Sequence, residues 1–220
     1  HCLTTISILF RIITLVIRQD IMILNHLVGI YTHPKEEWQS IDVKHETYFY
    51  ALTHIAFIAL IPSLVAYYSS EHTGWSIGAG DVIRLSETSA VMMAVGMYFG
   101  LVAGVIGLAV LIHELAKAFD ASPTYTQSLE LAAYTATPLF MVGFAGLYPE
   151  LWVVMTALLV GISYSVYLLY SGVPIMLHMP EDKGFIYSSS VVTCGLVLLV
   201  ILMTGSVLVW GLYGGPVFVH

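Results

Sequence analysis

The chain has 220 residues, of which 58% are hydrophobic and 10% charged, and its mean hydropathy is +0.87. An ordinary soluble domain carries about 25% charged residues, so this composition excludes a water-soluble fold and predicts a polytopic membrane protein. The net charge of -7 comes from 14 acidic residues against 7 scattered basic residues, which argues against a nucleic-acid partner.

Residues 1–21 are apolar but do not have the length of a membrane span. The apolar run from Cys2 to Ile17 is interrupted by Arg11. We expect this segment to be a non-native upstream extension, with Met22 as the initiator; an interfacial helix and a sixth span are the alternatives. A secretory signal is not indicated, because no positive region precedes the run and no small-residue cleavage pattern follows it.

Residues 22–47 are predicted to form a cytoplasmic segment that contains a short amphipathic helix. Thr32, His33 and Pro34 are typical of a helix start, since proline fits the first turn. Apolar and aromatic residues then recur on one edge, at Trp38, Ile41, His45 and Tyr48. That edge is expected to lie along the cytoplasmic membrane surface.

Five apolar windows follow, each long enough for a bilayer core of about 30 Å at about 1.5 Å rise per residue. They are Tyr48 to Tyr68, Thr88 to Ile112, Leu129 to Leu147, Leu151 to Tyr170 and Ser189 to Leu212. The predicted fold class is all-α integral membrane, a bundle of five transmembrane helices in residues 48–212. An external tail at 213–220 completes the chain.

The connections differ in length and composition. Only residues 148–150 separate the third and fourth windows, which forces a tight antiparallel helix hairpin. Residues 69–87 contain several glycines and are predicted to form an irregular surface loop. Residues 171–188 contain prolines, glycines and charges, and are predicted to form an exposed polar loop.

The distribution of lysine and arginine predicts the orientation, because cytoplasmic flanks are enriched in both. With the N-terminal segment inside, Arg84 is the basic residue of the outside loops. The inside loops hold Lys35, Lys44, Lys117 and Lys183. We therefore expect a cytoplasmic N-terminus and an external C-terminus.

Two histidines could carry chemistry. His54 lies well inside the first span, where an ionisable group is by default a functional hypothesis. A neutral histidine bonded to a neighbouring hydroxyl is the favoured interpretation, because no acidic relay partner is evident at mid-span. His113 and Glu114 begin a zinc-protease motif that Lys117 breaks, so a Glu114–Lys117 pair is expected instead.

The second span carries a regular stripe of glycines at Gly96, Gly100, Gly104 and Gly107. A stripe without side chains lets another backbone approach closely. Packing inside the bundle is favoured over a dimer interface, so Gly100→Ile is expected to destabilise the protein.

In the third span, Tyr134, Thr135 and Thr137 accompany the helix-kinking Pro138. Hydroxyls can satisfy the carbonyl groups that a proline frees, so the kink either adapts the helix to its neighbours, which is favoured, or lines a cavity.

No pattern for nucleophilic, paired-carboxylate or phosphate-cradling chemistry is evident, so we predict a protein that is not an enzyme and has no catalytic residues and no cofactor. Cys2 and Cys194 lack partners at metal or redox spacing, which predicts neither a disulfide nor a metal site.

Three stretches together resemble the bacterial branch of the YIP family of inner-membrane proteins. They run from Ala133 to Phe140, over Leu147, Tyr148 and Pro149, and from Tyr167 to Pro174, the last containing Tyr170, Gly172 and Pro174. The resemblance covers roughly residues 25–213. It implies five spans with a cytoplasmic N-terminus. Eukaryotic members are associated with small GTPases and vesicle traffic, a role that does not carry over to the bacterial branch.

The leading functional hypothesis is a non-enzymatic scaffold or organiser in a bacterial inner membrane. Its expected partners are the lipid bilayer and either itself or other membrane proteins. A transporter or channel for a small solute or ion, using His54 and Pro138, is the alternative.

Overall fold

A computed structural model describes residues 28–44, 47–74, 82–148, 150–212 and 215–219. Among these residues, five helices are long and apolar enough to cross a membrane. They are α2 (Tyr48–Tyr68), α3 (Glu87–Ala116), α4 (Tyr125–Met141), α5 (Leu151–Met176) and α6 (Glu181–Leu212). A shorter helix, α1 (Pro34–Lys44), precedes them. The five-span all-α prediction is therefore confirmed, while the interpretations of residues 1–21 lie outside the described residues.

Helix α1 begins at Pro34, as its sequence predicts, but its apolar edge packs against protein rather than along the membrane surface. Trp38 and Ile41 are fully buried in the bundle. The preceding helical turn, residues 28–32, is fixed to α5 because the Tyr164 hydroxyl donates to the Ile30 carbonyl at 2.9 Å. Helix α1 therefore packs its apolar edge on a protein surface and not in the headgroup region. The third residue of the predicted edge, His45, lies outside the described residues.

Helices α2 and α4 form the centre of the bundle. The share of buried residues in their apolar windows is 50% and 56%, against 6% in α6. His54 contacts Thr137 and Pro62 contacts Gly143, so both helices run in the same direction. Helices α3, α5 and α6 surround this pair and turn much of their apolar surface outward.

The turn between α4 and α5 is short, as predicted. Helix α4 continues as a 3-10 turn over Val142–Leu147, and α5 begins at Leu151. Gly143 sits against α2, where an added Cβ would lie 2.7 Å from the Pro62 Cα. Only glycine permits this approach without displacing backbone.

The predicted polar loop at residues 171–188 is wrong. Helix α5 extends to Met176 and α6 starts at Glu181, so only residues 177–180 connect them. Both helices are longer than the bilayer core requires, and their polar ends continue beyond it as helix. The Met179 N–H donates to the Pro174 carbonyl at 3.2 Å and closes the end of α5.

A small β-ribbon replaces part of the predicted irregular loop and external tail. Strand β1 (Arg84–Leu85) pairs antiparallel with β2 (Phe218–Val219). The Val217 N–H also donates to Ser89 Oγ at 3.0 Å, at the start of α3. This ribbon closes one end of the bundle, the ribbon end, while α1 lies at the other, the α1 end.

Candidate functional site

His54 joins the two central helices through a hydrogen bond to Thr137. The ring is 1% exposed, and its Nε2 lies 3.0 Å from Thr137 Oγ1. The Thr137 hydroxyl gives its single hydrogen to the Ala133 carbonyl at 2.9 Å. His54 Nε2 is therefore the donor, which fixes the tautomer of the neutral ring. The predicted histidine–hydroxyl bond is present.

Tyr134 extends this site towards α1. Its ring centroid lies 4.7 Å from that of His54 and 6.1 Å from that of Trp38, which it meets edge to face. Aromatic pairs at these separations add to the stabilisation from buried area. The three rings form a continuous column, the aromatic column, from the α2–α4 contact to the amphipathic helix.

Glu130 is a buried acidic residue that the sequence analysis missed. Its side chain is 1% exposed, in the second turn of α4. Tyr134 and Thr137 follow at four and seven residues, so all three share a helix face. Glu130 lies near the start of α4 rather than at mid-span, so the absence of an acidic relay partner at mid-span stays a prediction. The spacing of Glu130 from Tyr134 is the sequence signal that indicates its place on this helix face.

Pro138 lies inside α4, directly after the His54 partner. Its carbonyl faces α5, where an added Cβ on Gly161 would lie 3.5 Å from it and 2.4 Å from Val142 Cγ2. The residue thus sits where α4 and α5 approach closely. Two cavities lie at the α1 end of the bundle, and neither has Pro138 or His54 in its wall.

The motif residues Tyr170, Gly172 and Pro174 hold α1, α5 and α6 together. A Cβ on Gly172 would lie 2.7 Å from Trp38 Cε2, so glycine makes room for the aromatic column. Tyr170 Oη lies 2.7 Å from Ser189 Oγ on α6. Pro174 packs against Gly184, whose added Cβ would be 3.1 Å from the proline Cγ.

The glycine stripe of α3 is divided into a packed half and an open half. A Cβ on Gly104 would lie 3.2 Å from Leu202 Cδ1, and one on Gly107 would lie 3.0 Å from Leu198 Cδ2. At Gly96 and Gly100 an added Cβ would meet no atom of the described residues within 4 Å. Within the described part of the chain, the internal packing predicted for Gly96 and Gly100 is therefore wrong, because α6 does not reach that face of α3 beyond Leu202.

Ion pairs lie at the α1 end. The predicted Glu114–Lys117 pair is confirmed at 2.7 Å, and Lys183 Nζ lies 3.5 Å from Asp120. Outside the spans, partial burial raises the pKa of Tyr31 to about 12, and the nearby Tyr164 adds to the shift. These groups cap the bundle rather than joining the aromatic column.

Five apolar helices around a buried polar centre define a multi-pass helical membrane protein. The Yip1 domain model matches residues 28–202, and the chain belongs to this family. It is similar to inner membrane protein YohC of Escherichia coli K12, at 33% identity over 196 residues that cover 89% of this chain and 100% of the relative. YohC of Escherichia coli O6:H1 gives the same values. No solved structure matches.

Proposed function

We propose that this chain is a non-enzymatic organiser of a bacterial inner membrane. In this proposal the open face of α3 holds a transmembrane helix, either of a second copy or of another membrane protein. The α1 end faces the cytoplasm, with the N-terminus, and the ribbon end faces outward.

One observation carries the proposal: the open half of the α3 glycine stripe. Gly96 and Gly100 continue the same stripe as Gly104 and Gly107, yet no atom of α6 covers them. Phe99, between them in the chain, is 64% exposed. The open glycine face (Gly96 and Gly100) therefore has the composition of a helix contact, and no partner for it lies among the residues that the structure describes.

Membrane helices associate through close packing, because lipid chains are as apolar as the side chains themselves. A glycine face exposes backbone, which a second helix can approach more closely than it can approach a leucine-rich face. Helix α6 supplies a contrast, since many of its exposed residues are large and aliphatic, such as Leu199, Val200 and Ile201. The glycine face favours a helix, whereas the aliphatic face suits lipid.

The arrangement of basic residues supports the orientation. Lys183 pairs with Asp120 beside the end of α3, where Lys117 lies, and Lys35 is on α1. Arg84 lies in the ribbon at the opposite end. Under the positive-inside rule, the lysine-bearing end faces the cytoplasm.

Site-specific photo-crosslinking in intact membranes tests the proposal. A benzophenone amino acid at Phe99 is expected to give a discrete protein adduct, because it lies beside the open glycine face. Leu159 on α5, which is 67% exposed, is the matched control and is expected to give lipid adducts. Mass spectrometry of the adduct separates a second copy from another protein. Lipid adducts at both positions, or the same protein adducts at both, would contradict the proposal.

Transport is the competing function, and two buried ionisable residues favour it. His54 and Glu130 are each 1% exposed. Tyr134, four residues after Glu130 in α4, contacts the His54 ring. Intramembrane ionisable residues often mark ion pathways. Flux of protons, ions and small solutes into liposomes, compared among wild type, His54→Ala, Glu130→Gln and Pro138→Ala, decides the question. Reproducible flux that a folded variant loses would place transport ahead of organisation.

A further inference from the structure

A groove lies between α1, the last turns of α5 and the start of α6. Its volume is about 470 Å³, within the range of small-molecule sites. The wall includes Tyr170 and Pro174 from the family motif and Phe185 from α6. Lys35 from α1 and Glu181 from α6 are at its edge. This groove is separate from the open glycine face.

Helix length places the groove at the depth of lipid headgroups. Helix α5 has 26 residues, which corresponds to about 39 Å, whereas the hydrocarbon core is about 30 Å thick. Trp152, which is 68% exposed, marks the interface at the ribbon end. Counting about 20 residues from Trp152 leaves residues 171–176 at the opposite headgroup layer.

The walls of the groove are held in place by contacts behind it. Tyr170 Oη lies 2.7 Å from Ser189 Oγ, and its ring centroid lies 5.2 Å from that of Phe185. Trp38, seated against Gly172, fixes α1 on the other side. An aromatic and apolar wall therefore exists in the free protein, and Phe185, 63% exposed, continues it towards the acyl chains.

The rim carries one charge of each sign. Neither the Lys35 ammonium nor the Glu181 carboxylate takes part in an ion pair within the described part of the chain. A ligand with one anionic and one cationic group can satisfy both, whereas an anionic lipid would meet repulsion from Glu181. The charge pattern thus favours a zwitterionic headgroup that contains a phosphate. A primary ammonium suits the Glu181 carboxylate better than a choline group, because it can also donate a hydrogen bond.

We propose that this groove binds a phospholipid with a phosphate and a primary ammonium, such as phosphatidylethanolamine. Lys35 pairs with the phosphate and Glu181 with the ammonium, while Phe185 contacts the upper acyl chain. The site does not depend on the organiser function. Tyr170 and Pro174 then form the wall of a lipid site, and Gly172 holds that wall against α1.

Native mass spectrometry of the full chain tests this site. Protein released from micelles with equal phosphatidylethanolamine and phosphatidylglycerol is expected to retain the former preferentially. Lys35→Gln is expected to lower its retention by about threefold to fivefold, the effect of one partly exposed charge pair. Glu181→Gln is expected to remove the preference, because it loses contact with the ammonium but not with the phosphate.

Two variants serve as matched controls. Lys117→Gln removes a lysine at the same end that is already paired with Glu114 at 2.7 Å. Asp182→Asn removes the neighbouring carboxylate in the first turn of α6, which is not part of the groove wall. Both are expected to retain lipid like wild type.

Three results would overturn the proposal. The first is that Lys35→Gln and Glu181→Gln both retain phosphatidylethanolamine at the wild-type level. The second is that the wild-type protein prefers phosphatidylglycerol. The third is full displacement by soluble glycerophosphoethanolamine at the lipid's own concentration, which would show that the apolar wall adds nothing. All four variants alter exposed side chains, so unchanged melting temperatures are expected to accompany the measurement.

Discussion

Thr137 shows how one hydroxyl can stabilise two buried polar groups. It donates to the Ala133 carbonyl of its own helix and accepts from His54 on α2. In a bilayer core no water is available to replace either bond, so each buried polar group needs a protein partner. The polar residues of the third span therefore specify which helix packs against it.

Gly172→Ala is expected to destabilise the protein by roughly 1–3 kcal/mol, because its Cβ would overlap the Trp38 ring and strain a packed core. Thermal unfolding in detergent measures the loss. A methyl group on Gly172 would also lie 2.9 Å from Leu131 Cδ1, so it would be crowded from two sides.

Gly96→Ala is the matched control for Gly172→Ala. It adds the same methyl group at a position where no atom of the described residues lies within 4 Å. The free energy of unfolding is therefore expected to be unchanged or to rise by up to about 1 kcal/mol. Equal melting temperatures for the two variants would mean that Trp38 does not seat against Gly172.

At the scale of elements, α3 and α6 are joined at the α1 end and separate towards the ribbon end. The Tyr187 hydroxyl donates to the Ile112 carbonyl, and Leu198 and Leu202 fill the space over Gly107 and Gly104. Gly96 and Gly100 lie beyond the last of these contacts. The same glycine pattern thus has two different environments along a single helix.

Gly107→Ile is expected to lower the melting temperature in detergent, because Leu198 Cδ2 already lies 3.0 Å from the Cβ position. The expected loss in the free energy of unfolding is about 2 kcal/mol. Gly100→Ile, on the open half of the stripe, is expected to leave the melting temperature nearly unchanged. It should instead weaken the photo-adduct at Phe99. A stability loss at Gly100 as large as that at Gly107 would contradict the division of the stripe.

At the scale of the whole molecule, the two ends of the bundle differ in charge and in structure. The α1 end carries the lysines of α1, the α3 terminus and α6, whereas the ribbon end carries Arg84. Five spans among the described residues place α1 and strand β2 on opposite sides of the membrane. The proposed orientation is therefore one of two choices that labelling can distinguish.

Cysteine labelling with a membrane-impermeant reagent checks this choice in a background that lacks Cys2 and Cys194. Arg84→Cys should react in spheroplasts, in which the outer membrane is opened and the inner membrane is intact. Lys117→Cys and Lys183→Cys should react only after the inner membrane is opened, because positive residues remain in the cytoplasm. Labelling of Arg84→Cys and Lys183→Cys from the same side would contradict the five-span arrangement.

The sequence by itself determined the fold class, the five spans and the start of α1. Span length and apolar composition are local properties, set by the thickness of the bilayer, so they can be counted along the chain. The extent of α5 and α6 could not be counted in this way. Residues 171–188 contain prolines and charges that favour a loop, but helix continues where Pro174 packs against Gly184.

Only the tertiary structure decided what each span faces. Glycine spacing alone does not distinguish the packed Gly107 from the open Gly100, because the difference depends on where α6 lies. The contact of His54 with Thr137 likewise depends on α2 and α4 running parallel. The groove at Lys35 and Glu181 joins residues 146 positions apart in the chain, and such proximity arises from packing rather than from any local pattern.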